Sequence, residues 1–330
     1  MLEEICIRRR AGCKFELGSV LNHRWIIASS LSDHDNHASD SCTNRGIKLV
    51  QENSTGKWCI LKMLPPDILR PGNAMREICV LQNLNRQGKT GHTNIVRLLD
   101  FADGCQHPHD IPWMVTELCD RGTLAQLVEN YASQGVHLPE AFLWYAFERL
   151  AAAVQFCHNS GVVHRDITPT NIFLHSNTDM HTYPNLQLGD FGCAADEHYL
   201  LESTVEILSP GNPDFMPPEG YLVQASCDIY QVGLVVLCLC MRETDPTESL
   251  ADFFNEMNTC GRQISTDLKR LIIWCLSREA AQRPSAEVLV ASIDRIVSER
   301  QSNRKTFAFE SLIEARNGMM ASSNVAVPSL

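Results

Sequence analysis

Apolar and polar positions follow different rhythms in the two halves of the chain. In the first half the rhythm is that of strands. Trp25 to Leu31 is apolar and β-branched, which predicts a strand. Ser32 to Arg45 is polar and reads as a loop. Ile47 to Glu52 and Trp58 to Met63 flank Asn53-Ser54-Thr55-Gly56, the signature of a hairpin. Ala74 to Asn85 places Ile78, Leu81 and Leu84 on one helical face. Ile95 to Phe101 and Trp113 to Leu118 predict two further strands.

The second half carries helical patterns. Pro139 opens a long amphipathic segment that ends at Asn159-Ser160-Gly161, with proline at the start and glycine just past the end. Ser226 to Met241 is almost wholly apolar and predicts a buried helix. Thr266 to Cys275 and Ser285 to Glu299 predict two more helices. The tail from Arg300 is polar, with a short helix expected at Phe307 to Ala315.

Composition narrows the function classes. The chain has 330 residues, 44% of them hydrophobic, enough for a substantial core. Its formal charge is −11, from 28 basic and 39 acidic residues. That balance argues against nucleic acid and against anionic membrane surfaces as partners. The 14 cysteines include no pair of CxxC units, so a structural zinc site is not expected. They read as reduced, small core hydrophobes. His34, His37 and Cys42, like His107 and His109, read as members of solvated loops, and Arg8-Arg9-Arg10 as a solvated terminus. The N-terminus, Met1 to Arg10, has a six-residue start that is too short and too acidic for a signal peptide. The longest strongly apolar run, Val232 to Met241, is too short to span a bilayer. A soluble protein of the cytoplasm or nucleus is expected.

The residues that point to chemistry sit in two short loops. His164-Arg165-Asp166 is followed by Asn171, and Asp190-Phe191-Gly192 comes next. Phosphoryl transfer needs a carboxylate beside the acceptor hydroxyl and oxygen ligands for Mg²⁺. Asp166 suits the first task; Asn171 and Asp190 suit the second. A lysine is also needed on the phosphates. Lys62 lies in the apolar strand Cys59-Ile60-Leu61-Lys62-Met63-Leu64, where burial without a partner is costly. Glu77 on the following helix is its natural partner.

In order and spacing, these residues make the chain resemble a eukaryotic protein kinase of the Ser/Thr type. Met216-Pro217-Pro218-Glu219 stands where that family has its A-P-E motif. Asp228 resembles the family's buried helix aspartate, and Arg283 resembles the arginine paired with the A-P-E glutamate. The resemblance implies a two-lobed α+β fold: a small lobe of antiparallel sheet plus one helix, and a larger, mainly helical lobe. It implies an N-terminal extension over residues 1–24, a kinase domain over 25–298 (small lobe 25–118, large lobe 119–298) and a flexible tail over 299–330. It also implies ATP and Mg²⁺ as cofactors and an unidentified protein substrate as partner. Thr116 would be the gatekeeper, and Glu117 and Cys119 would offer hinge backbone groups to adenine. Lys62, Glu77, Asp166 and Asn171 would form the catalytic set, with Asn171 and Asp190 on the metal. His164 and Phe191 would be structural, as would the Glu219–Arg283 pair and the loop anchor Asp228.

The chain also departs from the family pattern. Leu31 to Arg45 contains no glycine, and Gly46 stands alone where a glycine-rich loop is usual. Ile60 and Phe173 add volume at the expected roof and floor of the adenine, and overfilling a site costs ~1–3 kcal/mol. Thr168 replaces a lysine that helps neutralise the phosphoryl group. Asn212 replaces that lysine's threonine partner, so the two changes touch one spot and would compensate each other. Ser203, Thr204 and Ser209 are candidate phosphorylation sites, and Glu206 a fixed anion, in the activation segment Asp190 to Glu219. These departures motivate a second reading, a pseudokinase scaffold or allosteric partner. A third, a small-molecule kinase, is disfavoured by Glu219, Asp228 and Arg283.

Overall fold

The computed structural model describes residues 15–30, 46–64, 73–86, 92–104, 111–177, 183–196, 211–220, 224–246 and 264–301. The expected loop at 32–45, its histidines and cysteine, the 107–109 histidines, the arginine run, the activation-segment candidates and the tail helix lie outside these residues. The described residues divide into two compact units. Those up to 92 and 96–118 form the first; 93–95 and those from 119 onward form the second.

The first unit is an antiparallel sheet with one helix. Its strands are β1 (Val20–Leu21), β2 (Trp25–Ser30), β3 (Ile47–Glu52), β4 (Trp58–Met63), β5 (Leu98–Ala102) and β6 (Trp113–Glu117), in the order β1-β2-β3-β4-β6-β5. Helix α1 runs Asn73–Arg86 and packs on β5. The β3–β4 hairpin closes as expected, because Gly56 takes φ +70° and donates its N–H to the Glu52 carbonyl at 2.8 Å. Inward positions alternate along the strands, so Trp25, Ile27, Val50, Cys59, Leu61 and Val115 form one core. Phe15 and Leu21 join it from ahead of Trp25, where the sequence suggested only an extension. The fully buried Trp25 indole donates to the Asp100 carboxylate at 2.7 Å, linking β2 to the opposite edge strand β5. A buried indole N–H needs such an acceptor.

The second unit is mainly helical. Helix α2 (Leu124–Ser133) has a capping box in which Thr123 and Gln126 bond each other's backbone N–H. Helix α3 (Glu140–Asn159) begins after Pro139 and ends before Gly161, as expected. Helix α4 (Ala225–Met241) is buried from Cys227 through Cys240 and packs against α3 and against α5 (Thr266–Cys275). Helix α6 (Ala286–Gln301) packs on α3. Two short β pairs accompany the helices: β7 (Val162–Val163) with β10 (Ala195–Asp196), and β8 (Ile172–His175) with β9 (Asn185–Leu188). Cys157, Cys227, Cys238, Cys240 and Cys275 are buried among these elements as thiols rather than disulfides.

Two expectations change. The strand expected over Ile95 to Phe101 begins at Leu98 instead. Ile95 forms a parallel bridge to Leu188 in the second unit, and the Asn94 amide donates to the Leu186 carbonyl at 2.8 Å. One apolar run is thus divided between two units. Helix α2 was not foreseen, although Thr123 and Gln126 stand at capping-box spacing and Leu124, Val128 and Tyr131 share one face.

Candidate active site

In the first unit, β4 and α1 bring together the predicted lysine and glutamate. Lys62 Nζ lies 2.9 Å from Glu77 Oε1. Glu77 is nearly buried while the lysine side chain remains about a quarter exposed, at 23%. Burying a carboxylate is tolerable only with such a partner. Thr116 and Glu117 end β6. Thr116 stands in register with Ile60 on β4 and Leu98 on β5. Glu117 is held at both ends by Arg97: its N–H donates to the Arg97 carbonyl at 3.1 Å, and its carboxylate accepts the Arg97 N–H at 2.9 Å. Gly46 packs tightly on the same sheet, since a Cβ there would lie 2.9 Å from the Met63 carbonyl oxygen.

In the second unit, the Asp166 carboxylate is held through both oxygens. Oδ1 accepts the Asn212 N–H at 2.7 Å, and Oδ2 accepts the Asn171 side-chain amide at 2.9 Å. The same amide donates to the Asp166 main-chain carbonyl, also at 2.9 Å. The Asn171 side-chain nitrogen therefore donates to Asp166 twice. Asp190 caps the 3₁₀ turn Phe191–Cys193 in a left-handed conformation, φ 58° and ψ 73°. Gly189, just before it, donates its N–H to the Asn171 carbonyl at 2.9 Å and accepts from the His164 ring at 3.1 Å. Cys119 reaches Gln187 through its thiol at 2.8 Å.

The support beneath these loops matches expectation. Asp228, fully buried on α4, accepts the N–H groups of His164 and Arg165 at 2.8 Å each. His158 Nε2 lies 2.9 Å from the same carboxylate. Burial alone would raise the Asp228 pKa, but hydrogen bonding and charge from His158, with His164 and the Arg165 N–H, hold it below the usual value. Arg165 itself takes φ +69°, a strained conformation that this anchoring sustains. The His164 and Phe191 rings pack with centroids 4.6 Å apart. Arg283 forks onto Glu219 at 2.6 and 2.7 Å and covers the Tyr230 ring.

Thr168 differs from expectation. Its buried hydroxyl pairs with that of Thr170 at 2.7 Å rather than with Asn212. The Asn212 carboxamide instead accepts the Asp214 N–H, and only its backbone meets Asp166. Phe173 lies on β8 opposite Gln187. Two residues near Asp166 were missed in the sequence. Gly211 approaches so closely that a Cβ would fall 2.2 Å from the Arg165 carbonyl oxygen. Gln231 is a buried amide within an apolar helix, and its polarity amid that run was the available signal.

An antiparallel sheet carrying a lysine–glutamate pair, and a helical unit whose buried aspartate anchors an aspartate–asparagine loop, define a protein kinase domain. The chain matches the protein kinase domain family over residues 46–292 and belongs to that family. It is 28% identical over 222 residues to human serine/threonine-protein kinase ULK1, covering 63% of this chain and 20% of that protein. It is 32% identical over 168 residues to a probable serine/threonine-protein kinase nek2 of Dictyostelium discoideum, covering 49% and 36%. Zebrafish (Danio rerio) serine/threonine-protein kinase pim-2 is 26% identical over 250 residues, 74% of each chain. The first two matches thus span about a fifth and a third of those relatives' own lengths.

Proposed function

We propose that the chain is a Mg-ATP-dependent protein kinase that transfers a γ-phosphoryl group to serine or threonine hydroxyls of a protein substrate. The observation that carries this reading is the two-sided grip on Asp166. A carboxylate held by Asn212 and Asn171 is preorganised to orient an acceptor hydroxyl and take its proton. Lys62, steadied by Glu77, brings positive charge to the nucleotide phosphates. The donor set of Asn171 and Asp190 fits Mg²⁺, a hard cation that takes one or two protein oxygens and completes its shell with phosphate and water. Bound there, Mg²⁺ would neutralise phosphate charge. No group of three or more His, Cys, Asp or Glu side chains placed to hold a metal ion occurs among the described residues. Thr116, Glu117 and Cys119 are the proposed adenine-side residues. No helix among the described residues is long and apolar enough to cross a membrane.

One observation favours the second reading, a scaffold with weak or no transfer. Thr168 is neutral and supplies no charge to a phosphoryl group, and its buried hydroxyl is bonded to Thr170. Mg-ATP binding and phosphoryl transfer to protein substrates decide between the readings, with Lys62→Met and Asp166→Asn run beside the wild type. Transfer that is lost in both variants supports the kinase. A folded wild type that binds no nucleotide overturns it.

A further inference from the structure

Helix α4 grips the loop around Asp166 with two side chains three residues apart, hence on one face. Asp228 holds the N–H groups of His164 and Arg165. Gln231, 2% exposed, holds the next part of the loop. Its Oε1 accepts the Ile167 N–H at 3.0 Å, and its Nε2 donates to the Arg165 carbonyl at 3.0 Å. Arg165 and Ile167 are the two neighbours of Asp166. A longer bond of 3.4 Å runs from the same Nε2 to the Phe215 carbonyl. Phe215 ends the turn that begins at Asn212, whose N–H sits on Asp166 Oδ1. Gln231 therefore touches both backbone segments that position the carboxylate.

Space filling does not account for this residue. A leucine would fill the same volume without the cost of desolvating an amide. The amide instead satisfies backbone groups on either side of one residue. Gly211 also lies close against the Arg165 carbonyl, so the peptide leading into Asp166 has little freedom to turn.

We propose that Gln231 is a positioning residue for phosphoryl transfer: it sets the rotation of the peptides flanking Asp166, and through them the aim of the carboxylate at the acceptor hydroxyl. The proposal rests on the kinase reading above. Gln231→Leu removes the clamp at constant volume. Gln231→Glu keeps the shape, and only its protonated carboxyl donates to the Arg165 carbonyl.

The test uses the full chain and measures kcat, KM for ATP, and amide hydrogen exchange at Ile167, across about pH 6 to 9. Gln231→Leu is expected to lower kcat about 10- to 100-fold with KM for ATP unchanged, and to speed exchange at Ile167. Gln231→Glu is expected to approach wild-type kcat at the acid end and to lose it as pH rises, with a profile that departs from the wild type. Should Gln231→Leu not fold, the Gln231→Glu profile carries the test. Wild-type kcat in both variants, or unchanged exchange at Ile167, overturns the proposal and leaves the kinase reading intact. A wild type without transfer overturns the kinase reading; exchange at Ile167 then still shows whether Gln231 holds the loop.

Discussion

The Asn171 side-chain amide donates to Asp166 twice, once to its main-chain carbonyl and once to its carboxylate, each at 2.9 Å. The donor side of one amide thus fixes the residue proposed to receive the acceptor's proton. Its side-chain oxygen is the atom proposed to meet Mg²⁺.

Asn171→Leu removes both functions at once. Transfer is expected to fall by at least about 100-fold, since misplacing a reacting group by ~1 Å has that effect. Asn171→Asp keeps an oxygen ligand but places a second carboxylate beside Asp166. Its transfer is expected to fall as well, with weaker dependence on Mg²⁺ concentration than Asn171→Leu. Initial rates measured across a Mg²⁺ series check this.

Lys62 and Glu77 are expected to contribute to stability and to activity by different routes. Lys62→Met takes the ion-pair partner from a nearly buried carboxylate and should destabilise the fold by about 1–3 kcal/mol. Adding Glu77→Leu removes the buried charge as well, so the double variant should recover much of that stability. It should recover no transfer. Thermal unfolding and phosphoryl transfer, measured on the same three proteins, separate the two effects.

Gly211→Ala forces a methyl group into the Arg165 carbonyl and within 3.2 Å of Asp166 Oδ1. Backbone must shift, at a cost of about 1–3 kcal/mol. The displaced carboxylate should lose transfer more than the chain loses stability. A variant that melts several degrees lower yet keeps full kcat would contradict this placement.

Acidification should loosen the catalytic loop through Asp228. Burial pushes its carboxyl upward, and His158, His164 and the Arg165 N–H outweigh that push, leaving it depressed. Glu219 is depressed likewise, burial being outweighed by Arg283. A group depressed in the fold contributes stability that is complete above its unfolded value, about pH 4, and is lost as pH falls through its folded value. The melting temperature should therefore drop below about pH 4. Asp228→Asn should melt lower at neutral pH and lose less on acidification. Melting curves from neutral pH to about pH 3 test both statements.

Much of the candidate site was legible because its parts lie close together in sequence or keep a fixed order. Asp166 and Asn171 share one loop, so their spacing alone singled them out as parts of one site. Lys62 was conspicuous as a charge inside an apolar strand, and Glu77 as the acid on the next helix. The apolar run at Ser226 to Met241 similarly announced a buried helix. The strand boundary at Leu98 was not legible, since an unbroken apolar run does not mark where its pairing partner changes. The roles of Thr168 and Asn212 were also hidden. A threonine hydroxyl bonds whichever acceptor lies nearest, and here that is Thr170.

By itself, the sequence determined the family resemblance, most of the longer strands and helices, and the residue types able to carry phosphoryl transfer. Local periodicity and short motifs suffice for these. Only the tertiary structure decided which groups hold Asp166 in place. Asn212 lies 46 residues beyond it and Gln231 lies 64 beyond Ile167, and each acts where the backbone approaches within hydrogen-bond distance. The Trp25–Asp100 bond, across 75 residues, is of the same kind. Such contacts depend on how distant segments pack, which local periodicity and short motifs do not record.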